Sequence, residues 1–218
     1  MDDALRHAAP DLRRVDHLVY ATPDLARSVG EFEARLGVRA TSGGRHPGRG
    51  THNALLALGP TAYLEIIGPD PEQPAPERPR SFGIDGLAEP RIVTWAANAG
   101  DLERRVAEAR AAGVALGDVV AGGRERPDGV VLAWRLTALT TLVADGIVPF
   151  LIDWGTSPHP ARDAAAGLTL VDLRAEHPDA VSVRRMLAAL RIGLAVAPAV
   201  RPALIATLTG PRGRTELR

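Results

Sequence analysis

Two side chains have chemistry at odds with their surroundings. His17 sits in Val15-Asp16-His17-Leu18-Val19-Tyr20-Ala21, and Glu65 sits in Tyr63-Leu64-Glu65-Ile66-Ile67. Both runs have the β-branched and aromatic content of strands. Strand alternation puts His17 on one face with Val15 and Val19. A carboxylate in so apolar a run is costly to bury unless it is paired or metal-bound. Glu65 is therefore either an outward residue on an edge strand, or a metal ligand or general base. His17 is either a hydrogen-bonded strand residue or a ligand. Imidazole nitrogen and carboxylate oxygen together suit Zn²⁺, Mn²⁺, Fe²⁺ or Ni²⁺.

A second group lies between them in sequence. Gly43-Gly44-Arg45-His46-Pro47-Gly48-Arg49-Gly50-Thr51-His52-Asn53 is polar and rich in donors. Loops of this kind carry binding function on rigid scaffolds. His52-Asn53 opens a strand beside that of Glu65. His52 is then a replacement ligand, a proton shuttle at neutral pH, a substrate contact or a solvated loop residue. Asn53 and His46 are candidate substrate contacts, and Arg45 and Arg49 are cations suited to a carboxylate or phosphate. Asp153 and Trp154, in Pro149-Phe150-Leu151-Ile152-Asp153-Trp154-Gly155, are further substrate-contact candidates. His159-Pro160 either caps a pocket mouth or forms a turn. Trp95, Trp134 and Trp154 suit core packing first and ligand stacking second. His7 and His177 have no neighbours that single them out.

The elements that must position these groups recur. After a charged leader, 1–14, the Val15–Ala21 strand leads through Thr22 as N-cap and Pro23 as first helical residue into a helix. Leu25, Val29, Phe32 and Leu36 give its apolar spacing, and Gly37 ends it. A short strand near Val38-Arg39-Ala40, the glycine-rich loop, and strands 53–58 and 62–67 complete a first module, 15–68. A Pro- and Glu-rich linker or surface loop spans 69–90. A second module, 91–155, repeats the pattern, with Asp101 as N-cap and strands at Val119-Val120, 130–136 and 147–154. The glycine pairs at 43–44 and 122–123 read as turns. Laid on the first block, the second matches Asp24-Leu25 with Asp101-Leu102, His17 with Thr94, and Tyr63-Leu64 with Phe150-Leu151. A repeat this long dictates the architecture. Residues 156–218 read as a shorter third copy, βαββ-like, that packs on the first two. The fold class is α+β.

Composition narrows the function classes. The 26 basic residues, all Arg, balance 26 acidic ones. This gives no electrostatic reason for nucleic acid or an anionic membrane as a partner. There is no cysteine, so disulfides and thiolate chemistry are excluded. The leader lacks the apolar core of a signal peptide, and no apolar run is long enough to span a bilayer. The expected location is the cytoplasm. No GxSxG elbow, phosphate-binding GxxxxGK[ST] loop or HExxH motif competes.

The segments Val15–Leu25, Gly50–Leu55, Tyr63–Gly68 and Pro149–Gly155 with His159-Pro160 together resemble the vicinal oxygen chelate superfamily, specifically its glyoxalase-like domain proteins. The resemblance implies paired βαβββ modules whose curved mixed sheets form a cleft. It implies a divalent metal ion held by first and last strands, here by His17 and Glu65, with His52 in reserve. The ion would bind two neighbouring substrate oxygens and stabilise an enolate-like intermediate. Glu65 and His52 are then the catalytic pair of a lyase or isomerase acting on a small oxygen-rich molecule. The second module departs from the metal pattern. Thr94 replaces His17 and Ile152 replaces Glu65, while Asp153 reaches the cleft only through a bulge. A metal-free small-molecule binder of the same fold is the alternative. The partner is a small molecule, with no nucleic acid and no membrane, and the chain is a monomer or a homodimer.

Overall fold

The computed structural model describes residues 11–126, 128–140 and 142–218. Most of the leader lies outside these, and its end forms a short 3-10 turn, Leu12–Arg14. The first module is β1 (Val15–Ala21), α1 (Leu25–Leu36), β2 (Thr41–His46), β3 (Thr51–Ala57) and β4 (Tyr63–Pro69). The second is β5 (Arg91–Asn98), α2 (Leu102–Ala111), β6 (Val119–Glu125), β7 (Val131–Thr137) and β8 (Phe150–Asp153). The remainder is β9 (Thr169–His177), α3 (Ala180–Ala189), β10 (Ala195–Pro198), β11 (Ala203–Gly210) and β12 (Gly213–Leu217). Among the described residues no helix is long and apolar enough to cross a membrane.

Each helix starts on an aspartate. Asp24, Asp101 and Asp179 accept from the amides of Arg27, Arg104 and Ser182, satisfying an otherwise orphaned donor. The first N-cap is thus Asp24, not Thr22. The Thr22 hydroxyl instead donates to the Asp24 carbonyl and accepts from Ser28. Gly37 closes α1 in the left-handed conformation, φ 78°.

The two modules form a closed barrel in the order β1-β4-β3-β2-β6-β7-β8-β5. They meet at two seams. β1 and β5 pair antiparallel over most of their lengths, whereas β2 and β6 share the single pair Arg45–Glu125. The expected cleft is therefore enclosed on all sides by strands. Alternation sorts the side chains into two layers. Val19, Leu55, Tyr63, Ile67, Phe150 and Ile152 point into the barrel. Leu18, Tyr20, Leu56, Leu64 and Trp95 point outward, and pack with Leu173, Val183, Leu187 and Leu204 of the last segment.

Three readings of the sequence need correction. Gly43-Gly44 and Gly122-Gly123 lie in β2 and β6, not in turns. Their missing side chains make room: a Cβ on Gly43 would strike Asn53 and Arg124, and one on Gly122 would strike the Trp134 indole. The 69–90 segment is more than a linker. Its 3-10 stretch Ser81–Gly86 buries Ile84 in the inner layer and brings Phe82 to the barrel mouth. The last segment is fuller than βαββ: with β10 it has the element order of the two modules, but its strands pair differently, in the order β10-β9-β11-β12, with β9 and β10 adjacent and parallel around α3. In the first module β1 instead pairs with β4.

Two glycines test this account. A Cβ on Gly44, at φ 128°, would meet the Glu125 backbone carbonyl at the narrow seam. Gly44→Ala is expected to lower stability by about 1–3 kcal/mol and to speed amide exchange in β2 and β6. Gly30, inside α1, faces open space. Gly30→Ala is expected to raise stability by about 0.5–1 kcal/mol in chemical denaturation. A neutral Gly44→Ala would show that the seam does not depend on close approach.

Candidate functional site

The first strand is irregular where the chemistry begins. Val15 pairs with Ala97 but His17 with Ala96, so Asp16 is the extra residue of a bulge. A bulge re-aims side chains that simple alternation would separate. Asp16 is almost fully buried and collects donors from three directions. Trp154 Nε1 donates to both carboxylate oxygens at 3.2 and 3.1 Å, His17 Nδ1 lies 2.7 Å away, and His159 Nε2 lies 3.3 Å away. His159 Nδ1 accepts from the Ala161 amide, so its proton sits on Nε2 and faces Asp16. Burial pushes the Asp16 carboxyl up, but hydrogen bonds from His159 and His17 outweigh it and hold the group at about 2. With its Nδ1 proton on Asp16, His17 turns a free Nε2 lone pair toward the barrel interior. The ring is clamped by Tyr63, stacked at 4.6 Å, and by Phe150, edge-on at 5.4 Å.

Glu65 faces this nitrogen. Its Oε2 lies 3.9 Å from His17 Nε2, and its Oε1 lies 3.9 Å from His46 Nε2. Asn53 Nδ2 donates to Oε1 at 2.5 Å, while Asn53 Oδ1 accepts from Arg124 Nη1 at 3.1 Å. Asn53 thereby links base and cation. His46 is set by Thr51, whose hydroxyl lies 3.0 Å from Nδ1. Burial, assisted by Arg124, Arg49 and His52 against the pull of Glu65, lowers His46 to about 4, so it is neutral at pH 7. Burial and the nearby Glu65 and Asp16 carboxylates push the Tyr63 phenol well above its usual range.

His17, His46, Asn53, Tyr63, Glu65 and Arg124 line one cavity with about 660 Å³ of empty space, its open mouth included. Phe82, Trp134, Leu136, Phe150 and Trp154 form much of the remaining wall.

The structure thus brings together His17, Glu65, His46, Asn53 and Trp154. It does not bring in His52 or Asp153. His52 alternates with Thr51 and Asn53, lies opposite Gly68 and Arg45, and is only partly buried. Asp153 alternates with Ile152 and Trp154, and its Oδ1 accepts from the Gly155 amide outside the cavity. No bulge turns it inward, since Arg135–Asp153 and Leu136–Ile152 pair in simple register. Arg45 is taken up by Asp70 and Glu72. The second-module counterpart of His17 is Ala96, not Thr94. Ala96 pairs with Phe150 as His17 pairs with Tyr63. Thr94 donates instead to the Gly146 carbonyl. Asp16, Tyr63 and Arg124 are site residues beyond the sequence-based set, and His159, read from the sequence as a pocket cap or a turn, bonds Asp16. Asp16 carried the same signal as Glu65, a carboxylate in an apolar strand.

The donors were tested as a metal cage. Among the described residues no group of three or more His, Cys, Asp and Glu converges on one position. His17 and His46 approach different oxygens of Glu65, and His52 lies on the other strand face. The side chains as placed do not fit a complete ion site.

His46 makes the barrel acid-sensitive. Unfolded, the ring takes up a proton near its ordinary 6.5; folded, only near 4. The unfolded state therefore binds more protons in this window, and stability falls as pH drops from 6.5 to 4. Wild type should lose roughly 3 kcal/mol more than His46→Gln between pH 7 and pH 4. Equal losses in urea unfolding would remove His46 as the source.

Comparison with known proteins agrees with this architecture. The family model described as "Glyoxalase-like domain" matches residues 15–191. No curated protein matches significantly. Among solved structures, a hypothetical protein from Staphylococcus aureus aligns with a TM-score of 0.67 at 13% identity, covering 88% of this chain and 90% of that one. This likeness is one of fold. A methylmalonyl-CoA epimerase from Streptomyces coelicolor aligns at 0.45 and 22% identity, covering 64% and 95%. A hypothetical protein from Bacillus halodurans C-125 aligns at 0.45 and 19%, covering 63% and 91%. With the family model spanning most of its length, the chain belongs to the glyoxalase-like domain family.

Proposed function

We propose that this protein is a proton-transfer enzyme of the lyase or isomerase type, acting on a small oxygen-rich molecule held inside the barrel. One observation carries the reading. Glu65 is a buried carboxylate, 7% exposed, fixed by Asn53 and flanked at 3.9 Å by the Nε2 atoms of two imidazoles. A carboxylate so placed is suited to take a proton from carbon next to a carbonyl. His17 can then take that proton at Nε2, because Asp16 stabilises the imidazolium that forms. Returning the proton to another substrate atom gives isomerisation, and loss of a leaving group from the carbanion gives elimination. Both transfers need approach below 3.9 Å or one bridging water.

A second reading retains the divalent ion, Zn²⁺, Mn²⁺, Fe²⁺ or Ni²⁺. What favours it is that both imidazole Nε2 atoms face one carboxylate. It requires the three side chains to close on a common point.

The test uses a panel of small 2-oxo acids and hydroxyketones in D₂O, followed by proton NMR. Wild type should exchange hydrogen next to the carbonyl in at least one compound. Glu65→Gln should reduce that rate by about 10²–10⁴-fold. Asp16→Asn should slow it without weakening substrate binding in proportion. Rates that vanish with chelator and return with one of the four ions would move the assignment to the second reading. Saturable binding with no exchange would make the protein a metal-free binder.

A further inference from the structure

The cation inside the barrel is Arg124, and it lacks a counter-ion. It is 4% exposed. Among the described residues no carboxylate lies within 4.0 Å of its guanidinium, and its one hydrogen bond is to Asn53 Oδ1. A guanidinium has five donors, and with one of them spent on Asn53 the group still has donors to offer a ligand in the cavity it lines. The sequence has kept the space around it clear, since a Cβ on Gly43 would collide with the guanidinium. Arg124 lines the same cavity as Glu65, and burial lowers its affinity for its own proton more than the nearby Tyr63 and Glu65 raise it. The adjoining wall, from β7 to the end of β8, offers flat apolar surfaces, Trp134, Phe150 and Trp154.

We infer that Arg124 is the receptor for a carboxylate of the ligand, which makes the ligand class a small organic monoanion with a flat apolar body. The assignment rests on the cavity being the working site, as proposed above. A carboxylate completes Arg124 with two parallel hydrogen bonds and one matching charge. Asn53, bonded to both Arg124 and Glu65, then sets the spacing between the anchored anion and the base. The carbon chain next to the carboxylate falls beside Glu65, so the anchor also positions the reacting carbon.

Phenylacetate, phenylacetamide and phenyl phosphate are the probes, titrated calorimetrically and by the fluorescence of Trp134 and Trp154. Phenylacetate should bind wild type about tenfold or more tightly than the isosteric amide. Arg124→Gln should abolish this preference while binding the amide as wild type does, and Arg124→Lys should keep part of it. Equal binding of acid and amide by wild type would overturn the assignment, as would a preference that survives in Arg124→Gln. A preference seen only in Glu65→Gln would also overturn it, making Arg124 the counter-charge of Glu65 relayed by Asn53. Tighter binding of phenyl phosphate than of phenylacetate would replace the carboxylate by a phosphate. If Arg124→Gln does not fold, the Arg124→Lys and wild-type arms still decide. Binding is read without turnover, so failure of Glu65 as a base leaves these outcomes unchanged.

Discussion

A carboxylate inside an apolar barrel sets the terms for the groups around it. Glu65 shares its strand face with Tyr63 and Ile67, where an ionised group loses most of its hydration. The Asn53 amide replaces one water, and the two imidazoles stand 3.9 Å from the oxygens. The same Asn53 accepts from Arg124, the buried cation of the cavity wall. Gly43 must be bare for that chain to fit. Removing any member leaves another buried polar group unpaired, so the network resists piecemeal change more than any single hydrogen bond would suggest.

The duplicated modules have divided the work. The first supplies most of the polar groups: Asp16 and His17 from β1, His46 from β2, Asn53 from β3 and Glu65 from β4. The second supplies the wall, with Phe150, Ile152 and Trp154 standing where the first module has Tyr63, Glu65 and Ile67, and Ala96 standing where it has His17. Arg124 is the exception. Trp154 joins the halves, lining the cavity while donating to Asp16 across the barrel. The result is a one-sided polar site facing an apolar surface. Such asymmetry suits a ligand with a polar end and an apolar end.

What the sequence makes legible follows from which patterns survive folding. The module repeat and the strand–helix order are readable because hydrophobic period and helix caps are local. Glu65 and His17 are readable because a polar residue in an apolar strand is conspicuous. Parity is harder. Proximity in sequence places His52 near Glu65, yet one residue decides the face, and Asn53 takes the interior. Asp16 is hidden for the opposite reason, since strict alternation sends it away from His17 and only the bulge returns it. Arg124 follows a Gly-Gly pair that reads as a turn. Those glycines are strand residues thinned for side chains arriving from other strands, a long-range cause with no local signature.

Closure explains why the last segment is needed. A barrel wrapped around a polar site can place only part of its apolar residues inside, and the strands carry alternating apolar side chains on the outside as well. Leu18, Leu56, Leu64 and Trp95 would otherwise face solvent. α1 and α2 cover some of this surface, and the β10-β9-β11-β12 sheet covers more, joined to the barrel by the Ile92 amide donating to the Arg218 carbonyl. The outer core is continuous across both sheets, whereas the inner core is interrupted by the cavity. Stability is therefore concentrated outside the barrel. That leaves the interior free to carry buried charge and unfilled volume, which a single small core would struggle to support.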